Sequence, residues 1–347
     1  MKLLVCAMET SSNIHLKELQ KYLSCEVELL GIFDKSLGNP TYDVTSLAVM
    51  GFTDALKKLP FFLKLNTQMA QLASQADKVL LMDASGFNLP LAKKIKKRYP
   101  NKEIIYYILP QAWAWKKGRI PKIEAYCDTL CSILPFEKAL YTQQDKIHYV
   151  GHPLLDEIVE YKNALEQSGK IVFMPGSRKT EIMNLMPIYK EVAQQIQDKT
   201  PVLVIPEKFD EAYIKKVYGD ISNFEISRHA HQALAQADFA FVCSGTATLE
   251  AALIGTPFCL NYIAKKLDYF IGRKFVKLPF IGLANIFFEK MGKESIHEEF
   301  LQEDVTVENL LHEYHTMNQE KFFNDSKLLR KYLQHGSSKI VAKLIEK

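Results

Sequence analysis

The sequence predicts an α/β protein of two Rossmann-like, doubly wound domains facing a cleft. Three observations predict it. Short apolar runs alternate with longer amphipathic stretches; the alternation pauses at Gly151-His152-Pro153 and then begins again; and two runs of the second half end in small-residue turns that open helices. Such alternation builds parallel sheets, because joining parallel strands takes a crossover long enough to hold a helix. A chain of 347 residues is long enough for two such domains.

In the first half, residues 3–5, 79–82, 104–108, 130–134 and 147–150 read as strands, with helical stretches such as 89–98 and 120–126 between them. In the second half the strands are 171–173, 202–205, 224–226, 239–242 and 258–262, and the tail from 319 to 347 reads as two helices. The domains expected are 1–155, 156–318 and a helical tail, 319–347, packing back towards the first. Binding groups in such sheets lie at the carboxyl ends of the strands.

Two of those ends carry anion-binding turns. After the apolar run 239–242 comes Cys243-Ser244-Gly245-Thr246-Ala247-Thr248-Leu249-Glu250, a strand turning through small hydroxyl residues into a helix. Free backbone N–H groups and the positive end of the helix dipole then point above the sheet. Glu250, about one turn further in, can accept hydrogen bonds from ribose hydroxyls. The second turn is Met174-Pro175-Gly176-Ser177-Arg178-Lys179-Thr180-Glu181. Arg178 is either a guanidinium that forks onto a phosphate or a surface helix residue; Glu181, three residues after Arg178, suits a role in satisfying the first helical turn. No Walker lysine follows either turn, so together they favour a nucleotide diphosphate held by dipoles and one arginine.

Composition narrows the function classes. Hydrophobic residues make up 48% and charged residues 24%, as in globular proteins. A net charge of +4 is too weak to argue for nucleic acid, and suits an anionic membrane surface. The six cysteines are scattered, mostly in apolar runs, and no second Cys or His pair joins Cys127 and Cys131 at zinc-ligand spacing. The start, Met1-Lys2-Leu3-Leu4-Val5, reads as a first strand rather than a signal peptide, and no run of about 18 apolar residues occurs. His152, at the turn between the two halves, and His229 and His231, ahead of the second phosphate turn, either touch the nucleotide or are structural, and stay outside the catalytic set.

Segments along nearly the whole chain resemble the lipid A disaccharide synthase family. They are Ala48-Val49-Met50-Gly51, Met82-Asp83-Ala84-Ser85-Gly86-Phe87-Asn88, Trp113-Ala114-Trp115, Leu134-Pro135-Phe136-Glu137-Lys138, Gly151-His152-Pro153, Pro175-Gly176-Ser177-Arg178, Ser244-Gly245-Thr246-Ala247-Thr248-Leu249-Glu250 and Leu301-Gln302. The resemblance implies an inverting glycosyltransferase of the two-Rossmann-domain, GT-B type. It implies transfer of 2,3-diacylglucosamine from its UDP derivative to 2,3-diacylglucosamine 1-phosphate (lipid X), giving a β-1,6 disaccharide. No cofactor is implied. No Asp-X-Asp triplet occurs, so activity without a divalent metal is expected.

The resemblance also distributes roles. Asp83 matches the family's essential carboxylate. From the residues alone it either caps the turn Ala84-Ser85-Gly86 or faces the cleft as a base whose pKa burial would raise. Gly176, Ser177, Arg178, Ser244, Gly245, Thr246, Ala247, Thr248, Glu250, Asn285, Glu299 and Gln302 fall on the donor side. For Asn285, Glu299 and Gln302, a loop or capping role is the alternative. Glu9, Ser11, Asn13, Asn88 and Trp115 fall on the acceptor side. One departure stands out. The family's first strand leads into Gly-Glu-x-Ser-Gly-Asp, whereas Met8-Glu9-Thr10-Ser11-Ser12-Asn13 keeps Glu9 and Ser11 but loses both glycines and the aspartate. Losing easy access to positive φ predicts a different path here, with Asn13 capping the helix that follows.

Both substrates carry acyl chains, and residues 47–65 combine large apolar side chains with three lysines. Met50, Phe52, Phe61 and Phe62 suit an interface whose headgroups meet those lysines, and Lys93, Lys94, Lys96, Lys97 and Arg98 add a basic helix face. Each stretch equally suits a core or solvated face. The expected location is cytoplasmic, peripheral on the inner face of the inner membrane; oligomeric state is left open.

Overall fold

The computed structural model describes residues 1–24, 26–45, 59–114, 117–264 and 279–347. The chain divides into two compact units, Met1–Glu157 with Leu333–Lys347, and Ile158–Tyr332.

The first unit is a seven-stranded sheet: β1 (Lys2–Ala7), β2 (Glu28–Phe33), β3 (Tyr42–Asp43), β4 (Lys78–Met82), β5 (Glu103–Tyr107), β6 (Thr129–Ser132) and β7 (Ile147–Tyr149), in the order β3-β2-β1-β4-β5-β6-β7. All its pairings are parallel. Its central strands are apolar almost throughout because both faces are covered. Leu4 and Cys6 belong to one core, with Leu65, Met69 and Ile95, while Leu3, Val5 and Ala7 belong to the other, with Leu16, Val341 and Ile345. Helices α1 (Thr10–Gln20), α2 (Leu59–Leu72), α3 (Ser85–Arg98), α4 (Ile120–Tyr126) and α5 (Leu154–Glu157) alternate with the strands.

The strand β2 was not among the sequence-predicted strands. Its run is interrupted by Gly31, which sits at φ +111°; a Cβ there would stand 2.3 Å from the Val5 carbonyl oxygen. The glycine that hid the strand is what lets it approach β1.

The second unit holds six parallel strands, β8 (Lys170–Met174), β9 (Thr200–Val204), β10 (Glu225–Ser227), β11 (Phe239–Cys243), β12 (Phe258–Tyr262) and β13 (Glu299–Leu301), in the order β10-β9-β8-β11-β12-β13. Helices α6 (Lys179–Gln195), α7 (Glu211–Val217), α8 (Ala230–Ala235), α9 (Thr246–Ile254), α10 (Leu283–Lys290) and α11 (Val307–Thr316) lie between and after them. Phe173 and Phe241 stack across β8 and β11 with centroids 5.1 Å apart.

The tail forms α12 (Gln319–Leu333) and α13 (Ser337–Glu346). Nearly all of α12 belongs to the second unit. Helix α13 closes the first, packing Val341, Ala342 and Ile345 near α1. The chain's return is pinned there: the His152 N–H donates to the carbonyls of Leu333 and Gln334 (3.0 and 3.2 Å), and Asp156 accepts from the N–H groups of Gly336 and Ser338.

Both sheets therefore reverse their strand order once, between β1 and β4 and between β8 and β11. The carboxyl ends of those four strands are where a doubly wound sheet opens a crevice for ligands.

Candidate active site

On the second unit, the reversal point holds a cavity of about 540 Å³ lined by Gly176, Ser177, Arg178, Glu181, Arg228, Ser244, Gly245, Thr246, Ala247 and Glu250, among others. The β8 turn depends on Gly176 at φ +94°; a Cβ there would lie 2.6 Å from Glu181 Oε2 and 3.0 Å from Cys243 Sγ. Glu181 is buried, and its Oε2 accepts from the N–H groups of Ser177 and Arg178 at 3.3 and 3.1 Å. Its Oε1 accepts from the Arg178 guanidinium at 2.6 Å. The start of α6 is thus already occupied by a carboxylate from its own chain. The Arg178 side chain itself stays 76% exposed over the cavity.

The start of α9 is different. No side chain caps Gly245, and Gly245 and Thr246 are exposed. The N–H groups at the head of a helix lack partners within it, so this end of α9 can accept an anion. Thr248 lies behind it, fully buried, and its hydroxyl donates 2.8 Å to the Gly245 carbonyl, so it shapes the turn from below. Glu250 faces the cavity with His231 Nε2 3.5 Å from its carboxylate. Arg228, not singled out from sequence, joins the lining; its guanidinium donates to the carbonyls of Pro206 and Phe209 at 2.8 and 3.3 Å. A cation just after β10 and before α8 was the available signal.

Asn285, Glu299 and Gln302 are not among the residues lining this cavity. Asn285 is fully buried, donates to Glu299 Oε1 and the His297 carbonyl, and accepts from the N–H groups of Ile296 and His297. Glu299 accepts from the N–H groups of Ile281 and Gly282, and burial pushes its carboxyl up. Gln302, at φ +55°, accepts from the Ala264 N–H. Together they tie the loops around β12 and β13.

On the first unit, Asp83 follows the last residue of β4 at the reversal point. It and Ala84 adopt φ of +47° and +40°, a left-handed pair without glycine, which costs of the order of 1–2 kcal/mol per residue. Neighbours hold it. The fully buried Tyr106 hydroxyl donates to the Asp83 carbonyl at 2.6 Å, and the Asp83 N–H reaches the Tyr107 carbonyl. The Asn88 amide donates to the carbonyls of Asp83, Met82 and Cys6. Asn88, expected to meet the acceptor, is fully buried and acts as the strut of this turn. The Asp83 carboxyl stands above its ordinary pKa because burial outweighs the Ala84 N–H bond and the charge of His15, which both lower it.

Glu9, two residues past the neighbouring β1, is the N-cap of α1 with no side-chain cap bond, its carboxyl raised by burial and by Asp83. Ser11 lies half-buried in the first turn. Asn13, expected as a cap, is buried within α1; its amide donates to the carbonyls of Ala7 and Glu9 and its oxygen accepts from the Asp34 N–H. It welds β1, α1 and the end of β2. Trp115, Met50 and Phe52 lie outside the described residues. Trp113 is buried with its ring edge-on to Phe136. Phe61 and Phe62 on α2 are half-buried against the first unit's core, while Leu59 and Leu63 on the same helix are 53% and 54% exposed. Among the described residues, no helix is long and apolar enough to cross a membrane, and no cluster of three His, Cys, Asp or Glu side chains could hold a metal ion.

Two doubly wound units, with an open helix N-terminus and arginines at one reversal point and a strained carboxylate at the other, define a GT-B-type nucleotide-sugar enzyme. Solved structures share the fold. A UDP-GlcNAc 2-epimerase from Neisseria meningitidis bound to UDP-GlcNAc aligns with TM-score 0.63 at 13% identity over 100% of both chains. The spinosyn rhamnosyltransferase SpnG complexed with thymidine diphosphate aligns with TM-score 0.60 at 11% identity, again over 100% of both. The chain belongs to the lipid-A-disaccharide synthetase family, whose model matches residues 3–346. It is 50% identical to the lipid-A-disaccharide synthase of Helicobacter pylori strain G27, covering 98% of this chain and 96% of that protein. To the synthase of Campylobacter jejuni serotype O:2 it is 45% identical, covering 99% and 98%. The family's members are glycosyltransferases.

Proposed function

We propose that the chain transfers 2,3-diacylglucosamine from UDP-2,3-diacylglucosamine to the 6-hydroxyl of lipid X, releasing UDP and forming the β-1,6-linked disaccharide 1-phosphate. The observation that carries this reading to named residues is Asp83, a carboxylate of raised pKa fixed at the carboxyl end of β4. Asp83 takes the proton of the acceptor hydroxyl. That oxygen's electron pair forms the new bond to the anomeric carbon, and the bond to UDP breaks on the opposite face, which inverts the centre. A base poised nearer neutrality than an ordinary aspartate is better matched to this task.

The leaving diphosphate is met by the N–H groups of Gly245, Thr246 and Ala247 and by Arg178, which swings from Glu181 as negative charge builds. Fixed dipoles aimed at developing charge stabilise it without reorganising. Glu250 binds the ribose. Asn285, Glu299 and Gln302 act by shaping the donor-side loops. Glu9 and Ser11 line the acceptor side; Asn13 and Asn88 hold its walls. The exposed Leu59 and Leu63 beside Lys64 on α2 support docking on an anionic membrane surface, in keeping with a peripheral position on the cytoplasmic face of the inner membrane.

The test is transfer from UDP-diacylglucosamine to lipid X by wild type and Asp83→Ala, without added divalent metal. Disaccharide 1-phosphate from wild type alone supports the reading. Turnover of a UDP-sugar with no lipid acceptor, or full activity in Asp83→Ala, would refute it, and loss in chelator restored by magnesium would refute the metal-independent route.

A further inference from the structure

The diphosphate and the ribose account for one part of the cavity on the second unit, and another part is left over. In the sheet, β11, β8, β9 and β10 lie side by side, and neighbouring strands stand about 4.8 Å apart. The two small-residue turns sit over β11 and β8. The strands β9 and β10 end together: Val204 pairs with Ser227, and the Ile205 N–H donates to the Ser227 carbonyl at 3.0 Å. Pro206 and Arg228 therefore leave the sheet next to each other, and both line the cavity. Glu250 joins the two parts, because its carboxylate stands 3.5 Å from Nε2 of His231 in the first turn of α8, the helix that follows Arg228. A nucleotide with its diphosphate at the start of α9 and its ribose on Glu250 thus carries its base to Val204, Pro206, Arg228 and Ala230.

Of these side chains, Arg228 has the donors. Val204, Pro206 and Ala230 offer a flat ring an apolar surface but no direction. Arg228 spends Nη1 on the carbonyls of Pro206 and Phe209, at 2.8 and 3.3 Å, which holds the guanidinium plane in place. Among the described residues nothing accepts from its Nη2 or Nε. The other arginine lining the cavity, Arg178, is paired with Glu181 at the diphosphate end. A guanidinium only donates, so whatever part of the base it meets must accept.

We propose that Arg228 is a specificity-determining residue that selects uracil, a keto pyrimidine, by donating to its O4 carbonyl. This deepens the proposed function and rests on its placing of the ribose at Glu250. O2 lies beside the glycosidic bond and O4 on the far side of the ring, so a guanidinium beyond the ribose meets O4. Cytosine carries an amino group at that position, and its N–H bonds would face those of Arg228. A site built to hydrogen-bond one group rejects the analogue that cannot, because its own polar groups are left unpaired.

The experiment is calorimetric binding of UDP and CDP to wild type, Arg228→Met and Arg228→Lys, with a cooperative melt as fold check. Wild type should bind UDP at least about tenfold more tightly than CDP. In Arg228→Met, UDP affinity should fall about tenfold and CDP affinity by less than about threefold, so that the preference disappears. Arg228→Lys keeps the positive charge and a donor for the two carbonyls but not the fork, and should also lose most of the preference. Equal weakening of UDP and CDP in both variants is what a mere support for the turn, or a mere attraction for the diphosphate, would give. That result would overturn the proposal, as would a wild type indifferent to the base. Should Arg228→Met fail to melt cooperatively, Arg228→Lys decides by the same criterion. Full UDP affinity in Glu250→Ala would remove the ribose placement and this inference with it. No disaccharide from wild type, with the preference and its dependence on Arg228 intact, removes the lipid reaction alone; disaccharide formed, with the preference unchanged in both variants, removes this inference alone.

Discussion

The two reversal points solve one problem, turning a strand end towards a ligand, by opposite means. On the second unit the turn after β8 puts glycine at its left-handed position, Gly176. On the first unit the turn after β4 puts Asp83 and Ala84 there and restrains them with Tyr106 and Asn88. Two buried acids differ as well. Asp238 on the second unit accepts from Ser168, Gly169 and Lys199, and these bonds outweigh burial to hold its carboxyl below the usual range. Glu137 on the first unit has the Ser132 hydroxyl at 2.6 Å on one oxygen and no partner on the other, and burial pushes it up to about 8. The turn after β8 is relaxed by its glycine; the turn after β4 holds strain, and its unit carries an uncompensated acid.

If that contrast is right, the largest effect is on pH stability. A carboxyl whose folded pKa is raised stabilises below its unfolded pKa and loses that contribution as pH rises through the folded one. Glu137 should therefore cost the first unit up to a few kcal/mol between about pH 4.5 and about 8, and Glu137→Gln should flatten urea midpoints over that window. Asp238, lowered, works the other way: its contribution holds above the unfolded pKa and is lost as acid takes pH through the folded one. Next comes Gly176→Ala, whose Cβ collides with Glu181 at a positive φ; we expect about 3 kcal/mol lost and UDP affinity down about a hundredfold by calorimetry. Asn88→Ala should cost about 2 kcal/mol and lower kcat more than it raises KM, because it frees the base without touching the donor. The smallest is Arg178→Ala: its exposed pair with Glu181 is worth under about 0.5 kcal/mol in thermal melts, while UDP affinity falls about tenfold. Loss of stability without loss of affinity there would erase the distinction between the two turns.

The same contrast explains what the sequence made legible. Turns built from glycine and small hydroxyl residues announce themselves, so Gly176, Ser177, Gly245 and Thr246 were placed correctly at a strand end and helix start. Strands buried on both faces, such as β4 and β11, read as unbroken apolar runs. Strained turns carry no such mark: nothing in Asp83-Ala84 signals a left-handed pair, and nothing around Asn88, which the resemblance puts on the acceptor side, shows that its backbone acceptors come from β1, β4 and the turn. Asn285 and Glu299 were legible as polar residues, while their commitment to each other depends on β13, a strand of three residues too short to show a pattern.

The chain's return at Leu333 has a consequence for how the molecule is made. The second unit is an insertion of about 175 residues between Glu157 and the closing helix α13; loop-closure entropy grows only slowly with such length, so the topology is tolerable at equilibrium. During synthesis at about 5–20 residues per second, the first unit waits roughly ten seconds or more after Glu157 for Val341, Ala342 and Ile345 to cover its sheet. A message broken before the codon of Val341 would therefore spoil the part of the protein that was translated earlier.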